Sequence, residues 1–221
     1  MQKFDTAAPI ALVLDVPAGR VRIIAVEQDE TTVVVLPAND SKGRDVKAAE
    51  QTTVEFADGV LRIGAATAGN QYFGSSGSVE VTVQLPAGST VEAKSGSAEL
   101  VTTGRLGDVA FEGAYREIKL DEVAGLRLKA VDGDVEVGRM SGSGEISTSR
   151  GDITVGEAQG GKVVLATQTG DITVGAAAGV SASLDAGAGN GRVTNSLKND
   201  GTVALEIHAT TPNGAITARS L

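Results

Sequence analysis

Three aspartates, Asp134, Asp152 and Asp171, each follow a glycine and each precede a Val-x-Val or Ile-x-Val run. If the segments carrying them stack as neighbouring strands, the carboxylates fall on one edge, about 5 Å apart. Like charges at that spacing repel unless they are hydrated or neutralised by a cation, and oxygen ligands of this kind suit calcium. The column is therefore a candidate calcium site. A plainer account competes with it: glycine supplies a positive φ for a tight turn and aspartate bonds nearby backbone N–H groups. The turn account is preferred, because calcium-binding roll repeats have a period of about nine residues with denser Gly and Asp. Neither Arg192 nor Ala215 continues the column with a carboxylate. No cofactor is expected.

Other chemistry-bearing residues are sparser. The one histidine, His208, lies in a run where Leu205 and Ile207 share one face and Glu206 and His208 the other. Nucleophilic or metal chemistry would need partners converging on that outward face, so an exposed strand histidine is the expectation. Carboxylates are plentiful enough for glycan cleavage, the sharpest catalytic alternative. A glycan groove needs stacking aromatics, however, and Trp is absent, leaving Tyr72, Phe73 and Tyr115 as the aromatics expected outside the interior. The segment Gly187-Ala188-Gly189-Asn190-Gly191 has the glycines of a phosphate loop but no following Gly-Lys-Ser/Thr, and reads as a wide turn. Tyr72 and Phe73 stand together in a Gly/Ser-rich stretch and form a candidate partner contact, or alternatively fold back as a cap. No catalytic residue is assigned, and the chain is expected not to be an enzyme.

The elements that would position these residues follow from composition and periodicity. The chain has 221 residues, with 29 Gly, no Cys, no Trp and a net charge of −9. Lack of cysteine excludes disulfides, zinc ribbons and thiol nucleophiles. The acidic balance and scattered arginines argue against nucleic acid. Residues Met1 to Val16 lack an export-signal pattern and no stretch approaches the ~20 apolar residues of a membrane span. A cytoplasmic location is expected, with envelope association as the alternative. The apolar content is mostly Val, Leu, Ile and Ala, which favours strands. Alternation at Leu12, Leu14 and Val16, then Pro17-Ala18-Gly19, then Val21, Ile23 and Ala25 predicts strand, turn and strand. Residues 38–51 predict a long loop or one short helix, and 65–78 a second loop.

From Ser89 onward the chain repeats, with turn dipeptides at Gly96-Ser97, Arg116-Glu117, Gly133-Asp134, Gly151-Asp152, Gly170-Asp171, Gly191-Arg192 and Gly214-Ala215. Alternating aliphatic residues flank each turn, such as Ile146 and Thr148 before Gly151 and Ile153 and Val155 after it. A unit of about 19 residues cannot bury its own apolar stripe, so neighbours must stack. A parallel β-solenoid of stacked strand-turn-strand units is favoured, because the inward positions are small or medium aliphatics and hydroxyls. An antiparallel repeat sheet or sandwich is the alternative, since Asp-Gly and Asn-Gly also make hairpins. The expected organisation is a single domain over 1–221, with irregular strands in 1–88 and regular repeats in 89–221.

Val83 to Gly88 (Val-x-Leu-Pro-Ala-Gly), Ser149-Arg150-Gly151-Asp152-Ile153-Thr154-Val155 and Thr169-Gly170-Asp171-Ile172-Thr173-Val174 resemble the bacterial β-strand-repeat family known as the putative adhesin or toast-rack domain. That resemblance implies a right-handed, β-helix-like stack and a non-catalytic binding or structural role, with no catalytic residues to carry over. The functional expectation is a non-enzymatic structural or interaction module. Association with a protein partner or with itself through faces or ends of the stack leads, because open terminal strands expose unpaired backbone. Lys198, Asn199 and Asp200 are read as charged protection near the C-terminal end, favouring a monomer or closed dimer over a filament. Glycan binding and calcium binding are the alternatives.

Overall fold

The computed structural model describes residues 1–65, 77–113 and 116–221, which form eighteen strands and one short helix. The helix, α1 (Gly43–Gln51), occupies the segment expected to be a loop or short helix. Everything else regular is β, in one large and mostly parallel sheet. No helix among the described residues is long and apolar enough to cross a membrane.

The first third supplies β1 (Gln2–Asp5), β2 (Ala11–Val26), β3 (Glu30–Pro37), β4 (Thr52–Ala57), β5 (Val60–Ala65) and β6 (Val79–Pro86). The sequence predicts a break at Pro17-Ala18-Gly19, yet β2 runs through it as one strand. Gly19 explains the difference. Its φ of +134° and its approach to Val79, whose carbonyl oxygen would lie 1.8 Å from an added Cβ, turn a corner without ending the pairing. On both sides of that corner β2 pairs in parallel with β7 (Thr90–Thr103).

The repeat region then runs through β8 (Arg105–Gly113), β9 (Ile118–Ala130), β10 (Val135–Met140), β11 (Gly144–Arg150), β12 (Ile153–Ala158), β13 (Gly161–Thr169) and β14 (Ile172–Ala176). It ends in β15 (Ala182–Asn190), β16 (Val193–Ser196), β17 (Leu205–Asn213) and β18 (Ile216–Ser220). These strands do not pair as consecutive hairpins. Each bonds in parallel to a strand one repeat away: β9 to β11 to β13 in one stack, and β9 to β10 to β12 to β14 in a second. Alternate residues of both stacks point into one shared core, where Ile146, Ile153, Leu165 and Ile172 are fully buried. Two interior hydroxyls, those of Thr167 and Thr211, donate to the carbonyls of Gly151 and Gly170 at 3.0 and 2.9 Å.

The last two tiers depart from chain order. β13 and β14 pair with β17 and β18, which pair in turn with β15 and β16. The final segment thus inserts between two earlier ones and leaves β15 and β16 as the terminal tier. The opposite end is closed differently. There β4 adds antiparallel to β5, β3 adds antiparallel to β6, and β1 adds antiparallel to β3. Phe4 of β1 meets Phe56 of β4 with ring centroids 5.4 Å apart. Helix α1 is tied down by the buried Asp45, whose carboxylate accepts the Ser78 amide at 2.9 Å.

Candidate functional site

The corner between the two stacks is built from glycine followed by aspartate. At Gly151 and Gly170 φ is +129° and +148°, and an added Cβ would sit 2.2 Å from the Gly133 oxygen and 2.1 Å from the Gly151 oxygen. Only glycine lets successive corners nest this closely. The neighbouring aspartates then join one tier to the next. The amide of Asp152 donates to Asp134 Oδ1 at 2.9 Å, that of Asp171 to Asp152 Oδ1 at 2.7 Å, and that of Ala215 to Asp171 Oδ1 at 2.7 Å. One oxygen of each carboxylate is thereby engaged by a backbone donor of the adjoining tier. Asp171 reaches Ala215 and not residue 192 because β18 is its spatial neighbour. Among the described residues no three His, Asp or Glu side chains converge as a metal ion would require.

The remaining sequence candidates are placed apart from one another. His208 Nδ1 lies 3.3 Å from Asp185 Oδ2 on an exposed face, an ion pair only when the imidazole is protonated. Gly187 to Asn190 belong to β15, with no helix opening after Gly191, so the segment has no phosphate-loop geometry. Tyr72, Phe73 and Tyr115 lie outside the described residues. Lys198, Asn199 and Asp200 sit in the turn between β16 and β17. Asp200 Oδ1 accepts the Thr202 amide at 3.0 Å, while its own amide donates to Ser181 Oγ at 3.1 Å. The Thr202 bond, with help from Ser181, holds the Asp200 carboxyl below the usual carboxylate range.

The outward faces carry an arrangement that only the register reveals. On the first stack one row reads Asp15, Lys94, Glu112 and Lys129 in directly opposed positions, alternating in sign. It continues as Ser147, Ala166, Thr210 and Gly187, with no charge at all. On the second stack Arg20 lies between Glu80 and Glu99 at 3.5 and 3.2 Å, and Arg139 between Glu122 and Glu157 at 3.5 Å each. Lys119 is held protonated above its ordinary range, mainly by its hydrogen bond and charge attraction to Glu117. Farther along that stack the outward row is Thr154, Thr173, Thr217 and Thr194. In these rows charge gives way to small uncharged side chains toward the later tiers, whereas neighbouring rows of the first stack keep charge there, with Lys162 opposite Glu206 and His208 opposite Asp185. A shallow trough on the first stack is lined in part by Val13, Glu92, Ala110, Arg127, Glu145 and Val164, with no aromatic side chain among the described residues.

These features define a mostly β domain whose tiers are joined by backbone ladders, glycine corners and an aspartate column. The chain belongs to the family described as Toastrack DUF4097, whose model matches residues 11–219. Solved structures resemble it over nearly their whole length at low identity. A putative adhesin from Parabacteroides distasonis is 16% identical, with 98% of this chain and 95% of that one covered and a TM-score of 0.48. A putative adhesin from Bacteroides fragilis is 12% identical, covering 100% and 95%, with a TM-score of 0.44. A putative cell adhesion protein from Clostridium sporogenes is 15% identical, covering 100% and 98%, with a TM-score of 0.42. No curated protein matches the chain.

Proposed function

We propose that the chain is a parallel β-solenoid serving as a non-enzymatic structural and interaction module, which engages a protein partner through its regular outer rows. The observation that carries this reading is the way ionisable groups are used. Carboxylates and cations of adjoining tiers neutralise each other, as at Arg20 and Arg139, and the aspartate column is engaged by backbone amides. A catalytic site instead concentrates ionisable groups that the scaffold leaves incompletely satisfied. The uncharged row Thr154, Thr173, Thr217 and Thr194 supplies a flat surface with regularly spaced hydroxyls, suited to a protein contact that excludes water.

The test pairs retention of proteins from the source cell with a polysaccharide-cleavage assay. A defined protein should be retained by the native chain and lost with the double substitution Thr173→Lys, Thr217→Lys at unchanged melting temperature. Release of sugar products from any polysaccharide, or equal retention by the double variant, would overturn the proposal.

A further inference from the structure

We infer that the terminal tier formed by β15 and β16 is a self-association surface that takes a second copy of this chain, end to end about a two-fold axis. The idea rests on the chain being the interaction module proposed above, and it names one of that module's partners. The two ends of the stack differ in kind. The N-terminal end is closed by antiparallel β1, β3 and β4, by helix α1, and by Phe4 against Phe56. At the other end, among the described residues, β15 pairs with no strand but β17 and β16 with none but β18, and only the Ala182 amide, at the start of β15, is taken up elsewhere, by the Lys198 carbonyl at 2.9 Å. Beyond Ala182, the second edges of β15 and β16 meet no strand among the described residues.

The interior is open there as well. Ala186, Ala188 and Val193 stand opposite Ala209, Thr211 and Ile216. Those three partners are buried, whereas Ala186 and Ala188 are half-buried and Val193 is 43% exposed. Edge strands that stay alone in solution are usually guarded by lysine, proline or a bulge. β15 and β16 carry neither lysine nor proline, and Asp185 is their single charged side chain.

Charge selects the occupant. The chain carries −9, so two copies repel over most of their surface. Residues 182–200 instead hold Asp185 and Asp200 against Arg192 and Lys198, a balance of zero. A two-fold junction lets the cations of each copy face the anions of the other, because what one copy offers is returned by its partner. Head-to-tail joining would have to use the N-terminal edge strands β1 and β4, and these are guarded by Lys3, Asp5 and Glu55. A dimer that stops at two follows.

Sedimentation velocity on the full chain across a concentration series tests this. Native protein should convert from monomer to dimer as concentration rises, with nothing larger. Val193→Lys should raise the dimer dissociation constant by about tenfold or more, since each copy then brings an unpaired ammonium to the junction. Leu36→Lys, at an exposed position on β3, should leave the constant unchanged. Should Val193→Lys fail to fold, a spin label on Asn195→Cys decides: dipolar broadening is expected there and none from a label on Leu36→Cys. A monomer at every concentration, a dimer indifferent to Val193→Lys, absence of broadening at position 195, or growing polymers would overturn the inference. The threonine-row experiment reads a different surface, so either idea can fail while the other stands.

Discussion

Replacing Asp152 by alanine isolates what the aspartate column contributes. The carboxylate accepts the Asp171 amide at 2.7 Å, so the substitution deletes one charge-assisted hydrogen bond between tiers. Such bonds contribute about 1.5–3 kcal/mol where water is excluded. Asp152 is exposed, so water can rebond the freed amide, and a cost of about 1–2 kcal/mol is expected. At roughly 2–4 °C per kcal/mol for a domain of this size, the melting temperature should fall by about 2–8 °C. Asp152→Asn keeps an acceptor oxygen without the charge and should lose about half as much. Asp185→Ala, whose carboxylate meets only His208 among the described partners, should stay within about 0.5 kcal/mol of native. Thermal melts followed by circular dichroism compare the three variants. Were Asp152→Ala to melt like the native protein, the column would not hold the tiers together. Were calcium to raise the native melt and lose that effect in Asp152→Ala, the carboxylates would be metal ligands instead.

Further outcomes follow from other contacts. Gly170→Ala would place a Cβ 2.1 Å from the Gly151 oxygen at a φ of +148°, so a loss of about 3 kcal/mol or more is expected, read as reduced soluble yield or an early urea midpoint. Ser89 is fully buried, donates to the Pro86 carbonyl at 2.7 Å and accepts the Ile10 amide at 3.0 Å. Ser89→Ala leaves both backbone groups without that partner and should cost about 1–3 kcal/mol in a urea melt. Asp200 titrates lower in the folded chain than unfolded, so its contribution is present above its unfolded pKa and is lost as pH falls through the folded value. The Asp200 carboxyl resonance should therefore titrate below the ordinary aspartate range, and Thr202→Pro, which removes the donating amide, should move it up.

Much of this architecture is legible in the residues. Period-2 alternation around each Gly-Asp or equivalent dipeptide places Ile146, Thr148, Ile153 and Val155 inward, and all four are buried. The preference for Gly-Asp as a turn device fits the bonds that Asp134, Asp152 and Asp171 make to amides of the next tier. Alternation cannot show which tiers are neighbours, because every unit presents the same apolar stripe. The insertion of β17 and β18 beside β13 and β14 is therefore invisible in the sequence, as is the open edge it creates. The corner at Pro17-Ala18-Gly19 reads as a strand end because turn residues look alike whether a chain reverses or bends. The charge rows have the same origin. Lys94 and Glu112 lie 18 residues apart and oppose each other only once register is fixed.

The central claim is that order of tiers, since the aspartate column's last bond and the open terminal edge both depend on it. The chain has no cysteine, so paired substitutions report without background. Ala166 pairs directly with Thr210, and Thr210 with Gly187. Adjacent strands lie about 4.8 Å apart, within disulfide reach, whereas strands two apart lie about 10 Å away, beyond it. Under mild oxidation the pair Ala166→Cys, Thr210→Cys should form an intramolecular disulfide, and the pair Ala166→Cys, Gly187→Cys should not. The reverse result, with 166 joined to 187 and not to 210, would mean that the tiers stack in chain order and would contradict the account.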